Sequence, residues 1–349
     1  MILFRLFLIA SLGALSSAPV VAQIVFSASD LPGAIGYHSR AYVNTLYVDL
    51  GRGGVGGPGG PWFWDVSEPP YPDEIVKRLD VVRTADGGHG TNWPAATFAQ
   101  RLTNESNGAR DWSYYQITTN QGRIYYGFYD SNANPDVPAK VFRPPTLDIP
   151  ASVQYRQTWS RSLDFNDFGS SFPFYVDYAV HFTAQAEVDA FGTLVLPGIG
   201  AVPALRVNET LTYEYTDLTY GFLDRTDCFR EYYWLVRGIG KALDIISEAD
   251  YSVPPADFTT ASIFLRVFEF SSRPAPDLRV RLLGNTATLD WRPQTNCSGY
   301  RVQMLPAFAS NNWQISSNWQ ILAEPATNSW AQAVPPGDTQ RFFRVSLKP

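Results

Sequence analysis

Little in this chain of 349 residues suits metal or redox chemistry: it has two cysteines, three histidines and two methionines. His38, His89 and His181 are too far apart in sequence to form a His-x-His or His-Glu-x-x-His pair. Cys228 and Cys297 offer no Cys-x-x-Cys. No Gly-x-Ser-x-Gly elbow supports a serine nucleophile. Gly238-Ile239-Gly240-Lys241-Ala242 fails as a phosphate-binding loop, because the first Gly of that motif falls at Leu235 and its Ser/Thr at Ala242. That segment reads as a tight turn between strands. A sustained 3.6-residue apolar period is also missing, so helices should be scarce. Beyond the N-terminus, no apolar run approaches the ~18 residues that a membrane-spanning helix requires.

What the chain does have is period-two hydrophobicity. From Phe174 to Ala190 every even position is apolar or small, while Asp177, His181, Gln185, Glu187 and Asp189 stand among the odd ones. Such alternation predicts a long strand with one face buried and one in water. Phe191–Leu194 and Pro197–Gly200 read as turns. A second alternating run follows, with Leu205, Val207, Leu211, Tyr213 and Tyr215 on one face and Arg206, Asn208, Thr210, Thr212 and Glu214 on the other. Arg40–Asp49 reads as a further strand. Asp111–Tyr115 and Gly122–Tyr129 form a hairpin turning at Asn120–Gly122, and Ser152–Leu163, Phe229–Val236, Ala242–Ile246 and Ile263–Phe270 read as strands. Ile75–Asp80 fits either a strand or a short helix. The fold class expected is all-β: a large antiparallel β-sandwich-like domain followed by a small second sandwich.

The first residues have the form of a secretory signal. Arg5 precedes an apolar stretch from Leu6 to Leu15, and small residues allow cleavage after Ala22. Export brings oxidising conditions, which makes a disulfide between Cys228 and Cys297 a candidate. The net charge of −6 is uneven. Residues 277–349 carry seven Lys/Arg against four Asp/Glu, whereas 23–276 carry nineteen against twenty-nine. An acidic surface of that kind argues against nucleic acid as a partner. The expected location is extracellular or in the cell envelope, the expected partner a protein or glycan at the cell surface.

The organisation read from the sequence is a signal peptide at 1–22, a large β domain at 23–270 and a linker at 271–276. The β domain reads either as one unit or as two parts, 23–142 and 143–270. Residues 277–349 complete the chain. That last segment resembles a fibronectin type III-like module through Leu278–Val280, Ala287–Trp291, Gly299–Val302, Pro335–Gly337 and Arg341–Val345. The resemblance implies that Trp291 and Tyr300 are core residues and that a seventh strand is missing, so that either a sheet edge is left open, as a pairing hazard or a docking site, or another segment fills the gap. Asn312–Ile315 recurs as Asn318–Ile321, so a hairpin or loop of uncertain register is expected there. The block at about 24–270 resembles a group of uncharacterised exported β-proteins of environmental bacteria. The matching pieces are Trp64–Ser67, Trp112–Tyr129, Gly192–Gly198 with Leu205–Val207, and Tyr233–Trp234 with Gly238–Gly240. This second resemblance implies export and a β fold, and no catalytic residues.

Two places are candidates for ligands. Asp130, Asn132, Asn134 and Asp136 place oxygen-bearing side chains at alternate positions, as a Ca²⁺ site requires. Pro135 stands where an EF-hand has Gly, and Val141 where it has Glu. Asp164, Asn166 and Asp167 form a weaker second set. Trp62, Trp64 and Asp65, with Glu68, Asp73 and Glu74 nearby, suggest a carbohydrate-binding or carbohydrate-active surface. The plainer account is that the Trp residues pack in a core beyond the Gly-rich loop at 51–60. The function expected is a non-catalytic exported binding or structural protein, with a carbohydrate-directed protein as the alternative.

Overall fold

The computed structural model describes residues 24–50, 55–71, 73–130, 139–171, 174–271, 278–283, 286–291, 299–306, 320–333 and 341–348. The proposed signal peptide, all of the 271–276 linker but Ser271, Cys297 and most of the Asn-Trp-Gln-Ile repeat lie outside these residues. Strands account for nearly all regular structure; among the described residues only three short 3-10 turns interrupt them.

In chain order the strands of the large block are β1 (Val25–Ser27), β2 (His38–Asn44), β3 (Val48–Asp49), β4 (Gly59–Asp65), β5 (Ile75–Val82), β6 (Phe98–Asn104), β7 (Arg110–Thr118) and β8 (Gly122–Asp130). They continue with β9 (Lys140–Pro150), β10 (Ser152–Gln154), β11 (Thr158–Ser171), β12 (Phe174–Leu196), β13 (Gly200–Asp217), β14 (Phe222–Val236), β15 (Gly240–Ser247) and β16 (Thr260–Phe270). Ile75–Asp80 is therefore a strand. Twelve of these pair antiparallel in a closed ring, β2-β5-β6-β7-β8-β9-β11-β12-β13-β14-β15-β16, and β16 returns to β2. The large domain is thus a closed up-and-down barrel, not the expected sandwich. Alternation predicts one buried face in either architecture; closure depends on β16 finding β2 more than 200 residues away, which no local pattern encodes.

The even positions of β12 from Tyr178 to Val188 all point inward and are buried, while Asp177, His181, Gln185 and Glu187 are exposed outside. Among the described residues no helix is long and apolar enough to cross a membrane. Phe191–Leu194 is not a turn. It continues β12 beyond its pairing with β11, and the freed edge takes β4 as a parallel neighbour. The expected strand over Arg40–Asp49 is split in two, and the one expected over Ser152–Leu163 divides into β10 and the start of β11.

The crossover between β2 and β5 runs over the outside of the barrel. Val55, Trp64 and Val66 pack there against Trp234, Leu243, Ile245 and Phe264, with Trp64 edge-on to Trp234 at 5.6 Å. A Gly/Pro-rich crossover leaves backbone carbonyls unmatched by any sheet, and two buried arginines supply donors to them. Arg206 donates to the carbonyls of Val55, Gly56 and Gly57. Arg266, fully buried, donates to those of Val66, Glu68 and Pro69 and to both oxygens of Glu74.

After residue 277 come β17 (Arg279–Leu283), β18 (Thr286–Asp290), β19 (Gly299–Pro306), β20 (Gln320–Ala323), β21 (Ser329–Ala333) and β22 (Arg341–Lys348). They make two three-stranded antiparallel sheets, β17-β18-β21 and β20-β19-β22. Leu289, Trp291, Tyr300, Val302 and Val345 form a shared buried cluster, and the Trp291 and Tyr300 rings meet edge to face at 5.1 Å.

Candidate functional site

The barrel interior is layered along its axis. One end is closed by the segment preceding β2: Phe26 and Leu31 pack against Ile149, Val153, Val188, Val207 and Leu235, and the Tyr37 hydroxyl donates to the carbonyl of Ile239. Gly238 (φ 75°) and Gly240 (φ 82°) turn the chain beside this plug, and the Gly238 N–H donates to the Asp30 carbonyl. The expected tight turn is therefore present, and it presents Lys241 to the interior.

Above the plug lies a layer of charge. Arg123 meets Asp148 at 2.5 Å, Arg161 meets Asp148 at 3.0 Å and Glu209 at 2.9 Å, and Lys241 meets Glu231 at 2.5 Å. Asp244 completes the set through its hydrogen bond with Glu231. These groups come from β8, β9, β11, β13, β14 and β15, so the layer spans half the circumference. Burial is the largest influence on Glu209 and Asp244. It pushes the Glu209 carboxyl up to about 7, and Glu231 adds to the rise while Arg161 opposes it. Asp244 is held well above the usual carboxylate range by burial and then by the Glu231 charge. Asp148 ends below that range because its two arginines outweigh its burial.

Further along the axis the wall turns aromatic. Tyr115 stacks on Tyr125 at 4.6 Å, Phe142 stands edge-on to Tyr125 at 4.8 Å, and Phe182 meets Tyr213 at 4.7 Å. Together with the charged layer they enclose a cavity of about 510 Å³. It extends to Lys77 and the half-buried Asp111 at the end away from the plug. Asp111 is pushed up to about 6, by burial first and then by its neighbour Asp130. Three residues that line the cavity carry a buried polar atom with no hydrogen-bond partner: Gln100 Nε2, on a side chain only 8% exposed, Arg161 Nε and Asp244 Oδ1.

The sequence-predicted sites fall elsewhere. Asp130 ends β8 beside Asp111, while Asn132, Asn134 and Asp136, the rest of the Ca²⁺ set, lie outside the described residues. Asp164 and Asp167 are taken up by His181 at 2.7 Å and Lys140 at 2.6 Å. Among the described residues no three His, Cys, Asp or Glu side chains gather to hold a metal. The Trp62, Trp64, Asp65 set is split: Trp64 is buried in the core, Trp62 is 39% exposed on β4, and Asp65 accepts from the N–H and hydroxyl of Ser67. Glu74 is consumed by Arg266. Cys228 is a buried free thiol facing the Tyr251 carbonyl at 3.7 Å. His89 adopts the left-handed conformation (φ 60°) and lies over Tyr129.

None of the charged layer was singled out from the sequence. A signal did exist: Arg161, Glu209 and Glu231 share the parity of the inward apolar rows 163–165, 207–213 and 233–235, so alternation alone places them inside. No protein-family model matches the chain, and no curated protein matches its sequence. What defines the molecule is therefore its geometry: a plugged, twelve-stranded antiparallel barrel with a polar-floored, aromatic-walled chamber.

Proposed function

We propose that this protein is an exported binding protein that holds a small amphipathic ligand inside its barrel. The observation that carries the reading is the 510 Å³ chamber, sized for a small organic molecule and graded from charge at its floor to aromatic rings above. A barrel of about eight strands is just wide enough to fill with side chains or hold one small ligand, and the diameter grows with strand number. Here Phe142, Phe165, Phe182 and Leu211 line free space instead of closing it. The signal-like N-terminus supports export. The two C-terminal sheets, with Trp291 and Tyr300 at their centre, support the fibronectin type III-like reading, a module that would tether or display the barrel.

Nile red, an uncharged dye whose fluorescence rises in apolar surroundings, tests the proposal on the full chain. The expected result is saturable binding of one dye per chain, lost in Leu211→Trp, which fills the chamber from β13. Absence of binding, or undiminished binding to a folded Leu211→Trp variant, overturns it.

A further inference from the structure

Three cationic and four acidic side chains make up the inner layer. Arg123, Arg161 and Lys241 pair with Asp148, Glu209 and Glu231. Asp244 is the acid left over. It lies on β15, diagonal across the ladder from Glu231 on β14, and both point into the barrel. Asp244 lines the chamber, and its Oδ1 is buried and has no hydrogen-bond partner. A buried carboxylate without a cation is expensive, so the empty protein keeps a proton on this pair.

Resting on the chamber reading above, we propose that Asp244 is the head-group site and that the ligand is an amphipathic amine. Its ammonium takes the place of that proton, donating to Asp244 Oδ1, while its apolar body lies along Phe182, Leu211 and Tyr213. An ammonium brings both the missing positive charge and the missing donor. An alcohol brings only a donor, and a carboxylate adds a second negative charge to the pair. Aromatic faces also suit a cation partly stripped of water. The groups that bear on Asp244 are Glu231 from its own strand's neighbour, Lys241 on the same strand and Glu209 from β13. Arg161, Arg123 and Asp148 complete the layer beyond them. The charges balance: one ammonium enters, and one proton leaves the Glu231–Asp244 pair for solvent.

Calorimetric titration of the full chain at neutral pH with phenethylamine, phenethyl alcohol and phenylacetate tests this, because the three differ chiefly in the head group. The amine should bind at least about tenfold more tightly than the others, a gap of ~1.4 kcal/mol. Its binding enthalpy should vary with buffer ionisation enthalpy by the amount of one released proton. Asp244→Asn should bring the amine down to the alcohol's affinity, abolish proton release and leave the alcohol unchanged. Alcohol or acid binding as well as the amine, no proton release, or an unaltered amine affinity in Asp244→Asn overturns the inference while leaving the chamber reading intact. Failure of all three probes and of Nile red overturns both.

Discussion

Arg206 and Asp189 form a two-pronged ion pair on the outside of the barrel, Nε to Oδ1 at 2.8 Å and Nη2 to Oδ2 at 2.9 Å, with Arg206 only 1% exposed. Asp189 is the extra residue of a bulge in β12, between Val188 and Ala190. The bulge aims its carboxylate at the arginine. The remaining guanidinium donors hold the carbonyls of residues 55–57, so this pair fastens the crossover to the barrel wall.

Removing one partner of such a buried pair leaves the other charge stranded. Arg206→Ala should cost about 3–5 kcal/mol of unfolding free energy in urea denaturation. Arg206→Lys should recover little of it, because an ammonium cannot serve a carboxylate and three carbonyls with the geometry of a planar fork. Full stability in Arg206→Lys would contradict this account.

Gly192 lies where β4 pairs in parallel with β12, opposite Trp62. A Cβ at Gly192 would lie 2.0 Å from the Trp62 carbonyl oxygen, and one at Gly60 would lie 2.2 Å from that of Phe191. These are backbone atoms, which cannot step aside as a side-chain tip can. Gly192→Ala should therefore push β4 off the barrel, expose Trp64 and lower stability by about 1–3 kcal/mol. A red shift in native tryptophan emission, together with the lower urea midpoint, would report it.

Stability should also depend on pH through Glu209. Its folded value of about 7 lies above the ordinary 4.5, so the native state binds more protons than the unfolded chain between those limits. The contribution is fully present below about pH 4.5 and is lost as pH rises through 7. Asp111, raised to about 6, acts in the same direction. Asp148 acts oppositely, since its lowered value makes its contribution vanish in strong acid. Thermal melts should show stability falling from pH 5 to pH 8, and Glu209→Gln should flatten that slope. An unchanged slope in the variant would exclude Glu209 as its source.

Cys228 is buried under the 248–254 loop, its N–H donating to the Asp250 carbonyl. In a Cys297→Ser variant the remaining thiol should be silent to an aromatic disulfide reagent until the chain unfolds, then react as one equivalent. Rapid reaction of the native variant would show the loop to be open.

Much of the strand content was legible because alternation is a local property. Gly122–Tyr129 and Ile263–Phe270 each needed only their own residues to declare a half-buried strand. The misplaced turn at Phe191–Leu194 shows the limit: Gly192 has a glycine because another strand approaches it, and that strand lies about 130 residues earlier. Arg206 read as a solvated polar-face residue because nothing nearby in sequence announces that the crossover will cover it.

The amino-acid order by itself determined that this is a β protein, and which parity of each long strand turns inward, since apolar side chains at every second position leave a pleated ribbon only one face to bury. Only the tertiary structure decided that the ribbon closes into a barrel and leaves a chamber, because closure joins β2 to β16 through hydrogen bonds that no hydrophobic pattern specifies. It also decided that Lys241 and Asp244, three residues apart and so of opposite parity, share the inner face. The register shift opposite Leu235 brings them together, and a bulge is visible only once both strands of the pair are in place.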